Sequence, residues 1–579
     1  MVDAGGPGWE RFLPGLSTLR HYDRSWLRGD LLAGLTVTAY LVPQVMAYAV
    51  IAGLPPVVGL WGMLGPLAVY AVVGTSRQLS VGPEATTSLM AASALGAVLS
   101  VTDAHLRLET AGVLAILVGL VCVVGWLLRL GFLANLLSRP VMQGYLVGVA
   151  VLMVASQLGK VTKVGVRGDL PLDQFLSLAG QWRAIHVPTL LVATLSLVLI
   201  LALRRWLPRW PAPLIAVMAA AAFVALPVGQ GLGLATIGDV PVGLPPPNVP
   251  SFAGVDVVRL LPWAVGIALV GYSDNVLTAR AFASRRRERI DANQELLALG
   301  ATNLVAGLTS GFPNSSSSSR TVLGDSMGSR TQLHALVVLA GVVLVLLVAA
   351  PALATFPTAA MGALIVYAAS RLVDVPELVR IARFRRSELV LATVTAVGVV
   401  GLGVLSGIGV AVVVSLLDLI RRIATPHDAV LGYQDGLAGM HDVDDYPEAT
   451  QVEGLVVYRY DAPLFFVNSN DYLTRALAAV DAAAGPVRWM LLNLETAVEI
   501  DLTAADALVE LQSALAERGI TLALSRVKWK TREFLANAGL LQVIESDHVF
   551  PTLPTAVAAY EADFVAEHGR PPGRRGPKG

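Results

Sequence analysis

The chain has one cysteine in 579 residues, little charge (15%) and few aromatic side chains (6%). Each shortage excludes something. A lone thiol, Cys122 in an apolar run, leaves no disulfide framework and no thiolate metal site. So little charge cannot clothe a soluble protein of this length. The formal net charge of +0 offers no basic face for nucleic acid. The segment before Leu31 contains Glu10, Asp23 and Asp30 but no short apolar stretch with a cleavage site, so no removable signal peptide is expected. No nucleophile–base pair and no metal-ligand cluster stands out, so the chain does not read as an enzyme and no cofactor is expected. Apolar residues are abundant, at 55% of the chain, and the mean hydropathy is +0.65.

The charges are also unevenly spread. No Asp, Glu, Lys or Arg occurs in Leu31–Ser76, Ala111–Leu128, Val141–Gly159, Pro211–Gly238, Ala335–Ser370 or Leu389–Leu417. A bilayer core of about 30 Å needs roughly 20 helical residues, so Leu31–Ser76 holds two spans. The arginines supply a second constraint, because basic residues gather on the cytoplasmic side of short loops. Their clusters are Arg24/Arg28, Arg129/Arg139, Arg204/Arg205/Arg209, Arg285/Arg286/Arg287/Arg289, Arg383/Arg385/Arg386 and Arg421/Arg422. An even number of spans must separate each from the next. Between Arg289 and Arg383 hydropathy finds three, and parity is restored only if the polar stretch Thr309–His334 also crosses. Leu389–Leu417 would run roughly 43 Å as one helix, and Gly401, Gly403, Gly407 and Gly409 allow it to break in two. The expected fold is an all-α polytopic membrane domain of about fourteen spans, in the inner (plasma) membrane, with both termini cytoplasmic.

A serine-rich span carrying Arg320 and Asp325 cannot face lipid, since a central charge costs about 2.5–3.5 kcal/mol on insertion scales. It must line a protein-enclosed, hydrated cavity, where broken helices are tolerated. Gly82-Pro83 forbids a continuous helix, so a helix can begin only near Glu84, followed by Ala85 and Thr86. Gly311-Phe312-Pro313 breaks the chain in the same way before Ser315–Ser319 and Arg320. Two half-helices starting inside the membrane expose free N–H groups and positive dipole ends, which suit an anion. Paired interrupted segments in the two halves of a transporter point to its binding site. The buried charge of Arg320 calls for water, chloride or a carboxylate such as Glu84 beside it. Asp325 reads as structural, and Arg285–Arg289 as a topology anchor.

Several stretches carry a resemblance: Gly29–Leu35, Pro43-Gln44-Val45-Met46-Ala47-Tyr48-Ala49, Gly53–Leu60, Asn293-Gln294-Glu295-Leu296 and Gly311-Phe312-Pro313. Through them residues 20 to 560 resemble the sulfate permease (SulP) family of anion transporters, to which the mammalian prestin and pendrin belong. The resemblance implies a seven-plus-seven inverted repeat, a core domain moving against a gate domain, and a homodimer. It places Gln44 and Tyr48 on the anion site and likens Ser319-Arg320, with Ser318 beside them, to a Ser-Arg pair of the animal members. It likens Asp274 and Thr278 to residues that hold sodium in a bacterial bicarbonate transporter. Glu84 departs from the pattern, and a carboxylate at an anion site repels substrate unless it is protonated or paired. Duller readings stand beside these: Gln44 as interhelical glue, Tyr48 as packing, Glu84 as a helix cap and Asp274 as a partner of Arg280.

After Arg422 the composition changes. Residues 425–447 read as a linker. Beyond them strands at Gly454–Tyr460, Leu464–Val467, Trp489–Leu494 and Ile520–Leu524 alternate with helices at Asp471–Val480 and Thr503–Glu517, as in a small α/β domain. Asn493-Leu494-Glu495 through Ile500-Asp501-Leu502-Thr503-Ala504 resembles a STAS domain, with Asp501 and Thr503 in the loop where soluble relatives carry an Asp and a phosphorylated Ser. The phosphate-accepting and the N-capping readings of Thr503 are both open. The domains expected are 1–29 as a cytoplasmic tail, 30–424 for anion transport, 448–560 as the STAS domain, and 561–579 as a disordered basic tail. The function expected is cation-coupled transport of a small inorganic anion, sulfate by proton symport first. Sodium-coupled bicarbonate or dicarboxylate transport and an uncoupled channel or exchanger are the alternatives. The partners implied are the anion, a proton or sodium ion, the lipid bilayer, a second copy and a cytoplasmic regulator at the STAS domain, with no nucleic acid.

Overall fold

A chain in hydrocarbon must satisfy its own backbone polar groups, and helices do so within one segment. The computed structural model describes residues 12–99, 103–135, 138–168, 170–207, 210–238, 241–245, 249–544 and 546–576. Parts of the expected tails (1–11 and 577–579) and Arg209 lie outside the described residues. Two units separate, Met1–Ser415 and Leu416–Gly579.

The first unit is helical. Its segments are α1 (Leu27–Ile51), α2 (Pro56–Val73), α3 (Ala85–Val98), α4 (Ala104–Leu127), α5 (Arg139–Thr162), α6 (Val187–Trp206) and α7 (Ala212–Ala225). Then come α8 (Val257–Arg286), α9 (Ala292–Leu308), α10 (Ser318–Ser326), α11 (Leu333–Leu344), α12 (Thr358–Leu372), α13 (Arg386–Leu402) and α14 (Val404–Ala424), which runs on into the second unit. Among the described residues nine helices are long and apolar enough to cross a membrane, and α3 and α7 are shorter apolar helices. The segment that arginine parity drew inward is buried: Ser315, Ser316, Ser317 and Arg320 are all sealed from solvent. The break expected in Leu389–Leu417 falls at Gly403, whose φ of +85° suits glycine. Gly407 lets α14 pack back on α13, since a Cβ there would lie 2.5 Å from Val399 Cα.

Two bundles emerge from the packing. In one, α1 contacts α2, α10 and α11, while α4 lies on α8 and α9. In the other, α5 lies against α12 and α13, and α6 against α7 and α12. Between them α1 meets α7 and α12.

Buried carboxylates pin the first bundle. Glu295 on α9 accepts from Tyr70 Oη at 2.9 Å, Thr75 N at 2.8 Å, Thr75 Oγ1 at 2.6 Å and Asn275 Nδ2 at 2.7 Å, tying α9 to α2 and α8. Asp30 accepts from Arg330 N at 2.6 Å, Thr331 Oγ1 at 2.7 Å and Tyr22 Oη at 3.0 Å, which fixes the start of α1 to the turn before α11. Asp325 pairs with Arg286, which also donates to Ser329 O. So Arg286, expected only to set topology, also braces α8 to the far end of α10.

The second unit is a six-stranded sheet of order β4-β3-β6-β7-β8-β9, built from β3 (Asp428–Tyr433), β4 (Met440–Asp442), β6 (Leu455–Tyr460), β7 (Trp489–Asn493), β8 (Thr521–Ser525) and β9 (Val549–Phe550). β6 to β9 run parallel, and β3 is antiparallel to both its neighbours. Strand alternation sends Tyr458, Tyr460, Met490 and Leu492 to one face, under α15 (Ser469–Asp481), α16 (Leu502–Glu517) and α17 (Trp529–Asn537). Leu455, Val457, Trp489 and Leu491 face the other way, under α18 (Leu553–His568).

Three sequence expectations change here. The linker 425–447 contains β3 and β4 of the sheet, because β3 supplies the antiparallel edge that β6 needs. Leu464–Val467 is not a strand, and Leu464 makes only an isolated bridge to Ile500. The expected disordered tail is ordered in its described part: α18 runs to His568, and β10 (Arg574–Arg575) pairs with β5 (Gln451–Val452) while Glu453 holds Arg570 at 2.9 Å.

Glu295→Ala strands two hydroxyls, an amide and a backbone N–H in the first bundle. The expected loss is on the order of 3 kcal/mol, read as a lower thermal midpoint of detergent-solubilised protein. Glu295→Gln keeps one acceptor oxygen and should lose less. Equal midpoints for both variants and the parent would show that this cluster carries no stability.

Candidate functional site

The chain crosses itself where the two interrupted segments meet. β1 (Val81–Gly82) pairs antiparallel with β2 (Ser315–Ser316), and each strand leads directly into a half-helix, α3 or α10. Ser317 N donates to Ser80 O at 2.9 Å, extending the crossing by one rung, and Ser80 N donates to Thr321 Oγ1 at 3.0 Å. Both helix starts therefore open on the same space.

That space is a cavity of about 220 Å³. Its wall brings together Gln44, Tyr48, Glu84, Ala85, Thr86, Asp274, Ser318 and Ser319, all singled out from sequence. Gln44 Nε2 donates to Tyr48 Oη at 2.9 Å, one turn along α1, which leaves the buried Gln44 Oε1 without a partner. Gln44 thus pairs within its own helix instead of gluing two helices together.

The two helix starts differ. Glu84 caps α3, accepting from Thr86 N and Thr86 Oγ1, both at 2.7 Å. The α3 dipole already has its anion in this carboxylate, so Glu84 is a helix cap and a cavity-lining residue at once. At α10 the N-cap is Ser317, and no side chain caps the helix. The expectation of two open helix starts thus reduces to one: α10 has its N-terminal N–H groups free of side-chain caps, beside Ser318 and Ser319.

Arg320 lies behind this wall. It is fully buried and spans the crossing, donating from Nε to Ser80 Oγ at 3.2 Å and from Nη1 to Pro83 O at 2.9 Å. Nη2 is buried without a partner. Of the companions open to Arg320, Glu84 makes no direct contact with it: the Glu84 carboxylate takes Thr86, and loop oxygens take the guanidinium. One positive charge with one uncommitted donor therefore sits at the uncapped end of α10.

Asp274 and Thr278 lie one turn apart on α8. Asp274 Oδ2 accepts from Ser316 Oγ at 3.3 Å, and Thr278 Oγ1 is 2.9 Å from Ser318 Oγ. All four are oxygen donors of the kind a hard cation takes, but Thr278 is not on the cavity wall, and each pair already satisfies itself. Among the described residues no cluster of three or more His, Cys, Asp or Glu could hold a metal. In the second unit Asp501 caps α16, accepting from Ala504 N at 2.9 Å and Phe466 N at 2.7 Å. Thr503, expected as a cap or a phosphate acceptor, is exposed and does not cap.

A family model described as the Sulfate permease family matches residues 27–395, and one for the STAS domain matches 446–556. The chain belongs to the sulfate permease family. A probable sulfate transporter of Mycobacterium tuberculosis is 53% identical over 96% of this chain and 98% of its own length. Sulfate transporter 4.1 of Arabidopsis thaliana, a chloroplastic protein, is 32% identical over 91% of this chain and 79% of its own. The murine solute carrier 26 member A9 anion transporter, in an inward-facing state, has the same fold. It aligns with a TM-score of 0.87 at 23% identity, covering 97% of this chain and 96% of that one. The transmembrane domain of a cyanobacterial bicarbonate transporter, BicA, aligns with a TM-score of 0.57 at 21% identity, over 68% of this chain and 98% of that one.

Sulfate permease family membership makes the chain a transporter and accounts for both units. Sequence reasoning missed the opposite wall of the cavity. Gln143, Tyr145, Tyr367, Arg371 and Asp374 line it, with Tyr40 added on the α1 side, and Gln143 Oε1 and Tyr145 Oη are buried without partners. The one available signal was Gln143 in the charge-free run Val141–Gly159, a polar side chain that must face protein or water there.

If the free Nη2 of Arg320 serves an anion at α10, Arg320→Ala should weaken binding by about 1.5–3 kcal/mol, roughly 10- to 150-fold. Arg320→Lys should recover part of this, returning charge without the fork. Affinity of purified, monodisperse variants reads the effect. Parental affinity in the alanine variant would remove Arg320 from the site.

Proposed function

We propose that the protein is a secondary active transporter of small inorganic anions, sulfate foremost, working by proton symport with an elevator-type movement of one bundle against the other. The observation that carries this reading is the uncapped start of α10 beside a fully buried arginine with one free donor, opening on a polar cavity. Such an arrangement offers fixed positive potential and oriented N–H donors to an oxyanion. The named function of the relatives that match nearly the whole chain favours sulfate among the anions that would fit. The two bundles meeting at α1 and α12, with the cavity between them, support movement of one past the other. In this reading the protein lies in the inner membrane with its termini and arginine clusters cytoplasmic, acts as a homodimer, and presents the STAS domain to a cytoplasmic regulator.

Coupling falls to Glu84. Its carboxylate faces the cavity that receives the anion, and two negative charges there repel unless a proton arrives with the substrate. Asp274 on the same wall, with Thr278, Ser316 and Ser318 around it, supports a second reading in which sodium supplies the positive charge.

Uptake of radiolabelled sulfate into proteoliposomes decides between them. Proton symport predicts uptake that strengthens as external pH falls, and a flattened pH profile for Glu84→Gln, which can still cap α3. Uptake that needs sodium and ignores pH would move the coupling to Asp274 and Thr278. Flux that neither saturates nor responds to any ion gradient would make the protein a channel.

A further inference from the structure

A second polar cavity, of about 250 Å³, adjoins the first and shares Tyr40, Ser319, Tyr367 and Arg371 with it. Its remaining wall is Arg204, Val322, Leu323 and Ser326. Arg204 lies in the last turn of α6 and Arg371 in the last turn of α12, so the cavity sits toward the arginine-rich ends of these helices. Two guanidinium groups on one small wall repel each other unless an anion lies between them. No carboxylate is on that wall, and among the described residues neither arginine forms an ion pair or a hydrogen bond with a protein acceptor. Asp374, on the wall of the first cavity, caps the short helix that follows α12, accepting from Glu377 N at 3.1 Å.

A topology anchor would point its guanidinium toward headgroups. Arg205, next along the helix, is exposed in that way, whereas Arg204 is half-buried and faces hydroxyls. The volume equals roughly eight waters at about 30 Å³ each, room for an oxyanion with part of its hydration shell.

We propose that Arg204 and Arg371 form a second anion subsite, which holds a hydrated dianionic oxyanion on its way between the α10 site and the arginine-rich face. The hydroxyls of Tyr40, Ser319 and Tyr367 complete its donor set, while Ser326 Oγ donates to Leu323 O at 2.8 Å. This rests on the transport reading above, and deepens it by giving the route on one face a charge preference. Two separated positive charges favour a dianion over a monoanion, and hydration keeps the hold weak enough for release.

The test compares half-saturating radiolabelled sulfate at the two faces of the full-length protein, using intact cells and inverted membrane vesicles. Arg204→Gln with Arg371→Gln should raise the half-saturating concentration at the arginine-rich face, roughly three- to fivefold for each arginine and on the order of tenfold together. For Arg204→Gln alone, whose side chain lines the second cavity and not the first, the value at the opposite face should stay within about twofold. Arg204→Lys keeps the charge and should recover part of the loss at the arginine-rich face, which separates a lost subsite from a damaged fold. Arg320→Ala, acting at the central site, should weaken uptake from both faces. Equal effects at both faces, or none, would overturn the proposal. So would a parent whose sulfate dependence at the arginine-rich face is abolished by short-chain phosphatidylglycerol, because a lipid phosphate would then be the occupant. A parent that moves no sulfate at all would sink the sulfate reading alone, and labelled chloride and bicarbonate on the same variants would then decide the subsite.

Discussion

The site exists because two helices start in the middle of a membrane, where bare backbone is not tolerated. Everything around the crossing answers that constraint. Residues 81–82 and 315–316 pair with each other, Ser80 and Ser317 add a further rung, and Arg320 takes the carbonyl of Pro83. The serine run is a consequence: small hydroxyl side chains let the strands approach and still supply donors. Phe312, fully buried beside the break, closes the crossing on its apolar side. The backbone groups left over at the start of α10 are then the ones able to act on a ligand.

An asymmetry follows from this. The two halves of the chain place equivalent breaks at Gly82-Pro83 and Gly311-Phe312-Pro313, but only the first is followed by a carboxylate. Glu84 neutralises its own helix dipole and projects negative charge into the cavity, while Arg320 contributes positive charge from behind the other helix start. The cavity is thereby polarised along the crossing, with attraction at α10 and repulsion at α3. In the proposed reading an anion at α10 shares the cavity with the Glu84 carboxylate, and like charges there repel.

The sequence disclosed the membrane domain through missing charges and arginine parity, both global signals that survive without any contact information. It disclosed the core wall of the site through breaks and polar residues in charge-free runs. Gln143 and Tyr145 escaped because a glutamine and a tyrosine in one helix show nothing of which helix faces them. Arg204 escaped for a different reason: at a helix end, in an arginine cluster, it satisfies the positive-inside rule, and that sufficient explanation hid the cavity it faces. In the second unit β3 was lost to its neighbours, since Asp428–Tyr433 lies among glycines and acids and becomes a strand only when β6 presents an edge. The tail was lost likewise, because its basic, proline-rich composition signals disorder until Glu453 and β5 give it partners.

The unpartnered polar atoms around the cavity come from both bundles. Gln44 Oε1 and Arg320 Nη2 belong to the first, and Gln143 Oε1 and Tyr145 Oη to the second. Leaving such groups buried and unpaired costs about 1–3 kcal/mol each, so the closed arrangement is poorly satisfied by itself. A hydrated anion between the walls can offer an acceptor to Arg320 Nη2 and Tyr145 Oη, while its waters donate to Gln44 Oε1 and Gln143 Oε1. The arrangement that encloses substrate thus gains more from the substrate than one in which the walls have separated and met water. A differential of this kind is what a ligand needs in order to shift an equilibrium between two arrangements. If one bundle moves past the other as proposed, the wall that sequence reasoning missed is the partner against which the first wall is read.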